Sequence, residues 1–336
     1  MNFITKIWHH ARNFYSRHSK LVLAIGGILL VFYVFIPQLG SLKESLMAVE
    51  SANKKELFLA VVVFCCGFPI LALKYCLIAQ YKLRYMLTFQ VQIASAFVSK
   101  LLPMSIGSLT VNTYYLTTQS KSVAKAASTM TLNALTSSAA FALIVIAALA
   151  ANSNDLTFKG NTSEINWYRI LGLIVVISVI IWLLSRIGRL RKMITNAWNG
   201  LWTNFKTYRE QPIKATWGVI FNGLGSMTGI TTLLICARAT GLPVTLPQAV
   251  LSYTMGNIIG SLVPTPGGLG GVEAGLYAGL VFFGYDQNTS LTAVLLYRLI
   301  TYWIPIIPGY MMYRRLRATV LSDFHIHQKK VESATA

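Results

Sequence analysis

Ionisable side chains are scarce in the apolar stretches of this 336-residue chain, so the few that occur there carry its chemical information. Glu273 is the acidic residue placed well inside an apolar region, and Arg298 is its basic counterpart in the next one. A lone charge near a bilayer centre costs at least about 2.5–3.5 kcal/mol even on insertion scales, so each must face protein, water or the other. Such a pair has two uses: a structural salt bridge, or a pathway group in which Arg298 meets a phosphate while Glu273 titrates or balances it. Lys100, just before Pro103, is a second candidate phosphate contact. Lys74 sits near one end of its apolar stretch, from which its ammonium is expected to snorkel. Tyr114, Tyr115, Tyr297 and Tyr302 read first as interfacial or packing aromatics, and Tyr302 is kept among the pathway candidates.

Glu273 follows the run Pro264-Thr265-Pro266-Gly267-Gly268-Leu269-Gly270-Gly271-Val272. Glycine costs about 1 kcal/mol and proline about 3 kcal/mol relative to alanine in a helix, so Pro264, Pro266, Gly267, Gly268, Gly270 and Gly271 break one. The amides freed at the start of the helix carrying Glu273 suit an anion such as phosphate. The plainer use of the same residues is kinking and close helix packing. A dinucleotide loop is excluded, because no βαβ unit surrounds the glycines. An earlier stretch repeats the pattern at an offset of 161 residues, the separation of Pro103 from Pro264. Leu101-Leu102-Pro103 aligns with Leu262-Val263-Pro264, Gly107 with Gly268, Val111 with Val272 and Asn112 with Glu273.

Other chemistries find little support. Cys65, Cys66, Cys76 and Cys236 lie in apolar segments without zinc spacing, and His9, His10, His18, His325 and His327 lie near the termini. Neither a metal nor a cofactor is expected. There is no G-x-x-x-x-G-K-[ST] motif, so transport would be passive, ion-coupled or driven by a partner. Paired carboxylates and nucleophile–base sets are missing from the membrane stretches, which weakens a membrane glycosyltransferase or other lipid-modifying enzyme.

The elements that must position these residues are membrane spans. Hydrophobic residues make up 54% of the chain and charged ones 12%, about half the share in a soluble domain. The 29 Lys+Arg against 10 Asp+Glu, a formal charge of +19, then indicate cytoplasmic loops and an anionic lipid surface, not nucleic acid. Spans are expected at about 21–37, 57–79, 127–150, 167–185, 216–236 and 290–313, each able to cross a hydrocarbon core of about 30 Å. Two apolar regions, 86–118 and 247–285, are broken by Pro and Gly. Residues 1–20 read as an amphipathic basic helix on the cytoplasmic surface. Positive charge at the N-terminus, along 186–214 and in the tail 316–336 puts both termini and 186–214 in the cytoplasm and 151–166 outside. The first broken region must then begin and end inside and the second outside, each as a re-entrant hairpin or a pair of full spans. The expected fold is an all-α polytopic membrane protein with two inverted repeats, 21–150 and 151–315, each of about three spans plus a broken hairpin. Such repeats with discontinuous helices are a transporter architecture.

The run Pro264–Ala274, followed by Tyr297-Arg298-Leu299-Ile300-Thr301-Tyr302-Trp303-Ile304-Pro305 with Gly309 downstream, resembles the signature of the lysylphosphatidylglycerol synthase transmembrane-domain family, also called flippase-like integral membrane proteins. The resemblance extends over about 21–315. It implies a multi-pass protein of the cytoplasmic membrane that moves a phosphate-bearing lipid, such as an aminoacylated phospholipid or a polyprenyl-phosphate-linked sugar. An envelope-biosynthesis enzyme is the partner it implies. The chain departs from the family pattern at Val272, where a basic residue is common, and at Ser108 and Asn112 in the first half. It carries no stretch long enough for the soluble aminoacyl-transferase domain, so it is not expected to make lysyl-lipid itself. An ion-coupled small-solute transporter is the remaining alternative on the same scaffold.

Overall fold

The computed structural model describes residues 44–50, 52–102, 106–151, 211–263 and 265–316, and all its regular elements are helices. Helix α1 (Lys54–Ile78) precedes a pair of shorter helices, α2 (Tyr85–Leu101) and α3 (Ile106–Ser120), and then α4 (Val123–Ala151). The order recurs after residue 211: α5 (Pro212–Ala239), the short pair α6 (Leu246–Leu262) and α7 (Gly271–Phe282), then α8 (Gln287–Arg298). Beyond α8 a π turn (Leu299–Trp303) leads into helix again over 306–316. Lys54–Ile78, Val123–Ala151, Pro212–Ala239 and Gln287–Leu316 are each long and apolar enough to cross a bilayer. They account for the spans expected at 57–79, 127–150, 216–236 and 290–313. The amphipathic segment 1–20, the spans at 21–37 and 167–185, the loop at 152–166, the basic residues of 186–210 and the tail from 317 lie outside the described residues.

Local sequence explains where the helices start. Asn53 caps α1, its Oδ1 accepting from the Lys55 amide at 3.0 Å, with Glu56 in the first turn. Thr245 and Gln248 form a capping box on α6, and Pro212 and Pro247 occupy first-turn positions of α5 and α6, where no intrahelical N–H bond is lost. Asp286 caps α8, accepting from the Thr289 amide at 2.9 Å and its hydroxyl at 2.8 Å; these bonds hold the carboxyl below the usual carboxylate range.

Each short pair doubles back on itself. Thr88 near the start of α2 bonds Tyr115 near the end of α3 at 2.7 Å, while Gly107 packs against the backbone of Val98 near the break. In the second pair, the hydroxyl of Tyr285, after α7, donates to the Pro243 carbonyl before α6 at 3.1 Å and lies 2.5 Å from Gln248 Oε1. Small residues let α6 and α7 approach closely. A side chain at Gly256 would meet Leu276, one at Gly275 the Met255 backbone, and one at Gly279 the backbone of Ser252. Helices α1 and α5 pack along much of their lengths, with Gly67 against Thr228 and Gly225 against Leu71. One buried apolar cluster joins α1, α4, α5, α6, α7 and α8, and a second joins α1, α2, α3 and α4.

Candidate functional site

The turn between α6 and α7 brings the sequence motif to the end of α8. Gly267, Gly268 and Gly270 all have positive φ, which folds the chain tightly there and starts α7 at Gly271 with Glu273 in its first turn. Arg298 closes α8. Its Nε donates to Glu273 Oε1 at 2.7 Å and its Nη2 to the Gly267 carbonyl at 3.3 Å. The side chains are 6% exposed for Arg298 and 18% for Glu273, so the bridge is largely out of solvent and each charge depends on the other. Glu273 Oε2 is buried with no hydrogen-bond partner among the described residues.

Tyr302 sits in the π turn that follows. Pro305 has no N–H to return to the preceding turn, and the Ile304 amide reaches back to the Leu299 carbonyl instead, at 3.1 Å. The Arg298 guanidinium lies 4.7 Å from the centroid of the Tyr302 ring, and the Lys100 ammonium 5.3 Å from the same centroid. The Tyr302 hydroxyl also approaches the Lys100 carbonyl at 3.4 Å. One aromatic ring therefore carries a cation from the end of α2 and another from the end of α8.

A cavity of about 520 Å³ opens beside this group. Lys100, Arg298, Gly267 and Gly268 reach its wall, with Phe64, Phe68 and Leu71 of α1 supplying an apolar side. Neutral polar groups complete it: Ser99, Thr228, Asn257, Ser261 and Thr301. Sequence reasoning did not single these out. Their signal was helical spacing, since Asn257 and Ser261 share one face of α6 and Thr301 lies one turn after Arg298.

The structure thus gathers Lys100, Gly267, Gly268, Glu273, Arg298 and Tyr302 in one place. A side chain at Gly270 would meet nothing within 4 Å, and Gly271 packs against Ile259 of α6 and against Val263 just after it. Pro266 lies in the same turn but off the cavity wall. Pro103 and Pro264 lie outside the described residues. In the first pair, Gly107 is a packing position and Asn112 is buried in a local network. Asn112 accepts from Gln92 at 2.8 Å and donates to Ser95 at 3.0 Å and to the Ser108 carbonyl at 2.8 Å, which ties α2 to α3. Neither residue reaches the cavity.

Lys74 corrects a sequence expectation. It does not snorkel: it is 4% exposed and donates to Asn222 Oδ1 of α5 at 3.1 Å. Asn222 in turn donates to Thr136 of α4 at 2.9 Å. The physical reason is that Lys74 faces α5 across the tight α1–α5 contact, where the Asn222 amide oxygen satisfies the buried ammonium.

The family model described as lysylphosphatidylglycerol synthase TM region matches residues 20–309. That stretch contains α1 to α8 and every residue of the site just described. Among curated proteins, none matches the chain.

Proposed function

Because the chain belongs to the lysylphosphatidylglycerol synthase TM-region family, a family of membrane proteins linked to lipid handling, we propose that it is a lipid translocase. Its cargo would be a phosphate-bearing lipid of the cytoplasmic membrane, with the headgroup crossing through the cavity and the tail remaining in the bilayer. The observation that carries this reading is the cavity wall: two cations on one tyrosine ring, beside a glycine turn, between helices from both halves of the chain. Phosphate oxygens suit a guanidinium and an ammonium that helix ends already hold in position.

The helix lengths support the same mechanism. α7 has 12 residues and spans about 18 Å at 1.5 Å per residue, too short to cross a hydrocarbon core of about 30 Å. α3, at 15 residues, is short as well. Two re-entrant pairs that meet inside the bilayer fit these lengths, and the recurrence of α1–α4 as α5–α8 fits an inverted repeat. Arg298 would receive the phosphate while Glu273 keeps the guanidinium oriented.

The test is reconstitution. Purified protein in vesicles with labelled phospholipids should accelerate their exchange between leaflets, and Arg298→Lys, which keeps the charge but loses the fork, should slow it at least tenfold. Exchange no faster than in protein-free vesicles removes the translocase reading.

A further inference from the structure

Charge around the cavity is unbalanced. Lys100 and Arg298 both lie on the Tyr302 ring, and Glu273 is the carboxylate near them. That carboxylate is already engaged through Oε1, its Oε2 is buried, and it does not reach the cavity wall. Among the described residues, no acidic side chain lines the cavity at all, and Lys100 has no carboxylate partner. Opposite the apolar side, what faces an occupant among the described residues is therefore two cations plus neutral polar groups, Ser99, Thr228, Asn257, Ser261 and Thr301 among them.

We propose that the cavity selects a headgroup of net negative charge, a phosphodiester bearing hydroxyls and no amine, and rejects one carrying an aminoacyl cation. The inference rests on the translocase reading and narrows its cargo. An anionic phosphate supplies the negative charge that Lys100 lacks, since Glu273 already balances Arg298, in surroundings where an uncompensated charge is costly. Headgroup hydroxyls find acceptors there, since Thr228 and Ser261 donate their own protons to the Gly225 and Ile258 carbonyls and Asn257 donates to the Tyr253 carbonyl. A protonated amine would sit beside Lys100 and Arg298 with no free carboxylate among the described residues to receive it, and that repulsion gives discrimination. Lys100 sets the preference, because Arg298 is held to Glu273.

Two arms test it on the full chain. In vesicles, labelled phosphatidylglycerol should cross at least tenfold faster than its lysyl ester. Lys100→Gln should bring the two rates within about threefold, and Lys100→Arg should keep the preference. A lysyl ester that crosses as fast as phosphatidylglycerol, or a preference unchanged in a folded Lys100→Gln protein, overturns the proposal. In detergent, sn-glycerol 3-phosphate should bind, lysine methyl ester should not, and Lys100→Gln should weaken the former at least tenfold. If neither lipid crosses but this binding pattern holds, the translocase reading fails and the charge selection stands. Equal binding of the two probes, or binding of neither, overturns the selection itself. Inorganic phosphate that binds more tightly than sn-glycerol 3-phosphate overturns the lipid source in favour of a free anion.

Discussion

Arg298 lies one helical turn before Tyr302, and its guanidinium meets a carboxylate, a carbonyl and an aromatic face at once. Removing one partner of such a buried pair leaves a lone charge and costs about 3–5 kcal/mol, whereas removing both leaves none. Glu273→Gln and Arg298→Gln should each lower the melting temperature of the purified protein, and the double variant should recover most of the loss. In a leaflet-exchange assay the recovered double variant should stay inactive. Single variants that melt like the parent would dissolve the pair argument. Lys74 calls for a different experiment, because its acceptor is an amide. Asn222→Leu orphans a buried ammonium and should destabilise by about 1–3 kcal/mol. Lys74→Met with Asn222→Leu, two apolar side chains facing each other, should restore stability in a denaturation titration. No recovery in the double variant would mean that the bond from Lys74 to Asn222 is not what holds this contact.

At the scale of elements, the second short pair depends on its glycines in two distinct ways. Gly275 faces the backbone of Met255 and Gly256, which cannot move aside as a side chain can. Gly270 has φ +79° and open space beyond its Cα, so only its backbone conformation matters. Gly275→Leu should therefore separate α6 from α7 and abolish folding. Gly270→Asn should cost at most about 1–2 kcal/mol, the left-handed penalty that asparagine partly avoids. Limited proteolysis beside a melting curve distinguishes them, and equal tolerance at both positions would contradict the packing of α6 on α7. The first pair is held differently, by the Asn112 network that ties α2 to α3.

For the whole molecule, the orientation set by positive charge remains a direct prediction. In a background lacking Cys65, Cys66, Cys76 and Cys236, a cysteine at Lys82 should react with an impermeant reagent only from the cytoplasmic side. A cysteine at Gln287 should react only from the opposite side. Reversed labelling would invert both short pairs in the membrane. Sequence alone determined the all-helical class, four of the long spans and the break of the second short pair, but not the π turn inside the last span. Apolar length, proline and glycine act locally, so α1, α4, α5, the α8 stretch and the interruption from 263 to 270 were legible without tertiary contacts. It also marked Glu273 and Arg298, since charges in apolar stretches are few. Tertiary structure decided the rest. No local rule places Lys100, 198 residues from Arg298, on the same ring, because that meeting depends on how the end of α2 approaches the π turn. Nor could spacing tell that Lys74 points inward to Asn222 or that Asn112 is taken up within its own pair. A side chain's partner across a helix interface is set by which faces pack, and that is a property of the assembled bundle, not of any one segment.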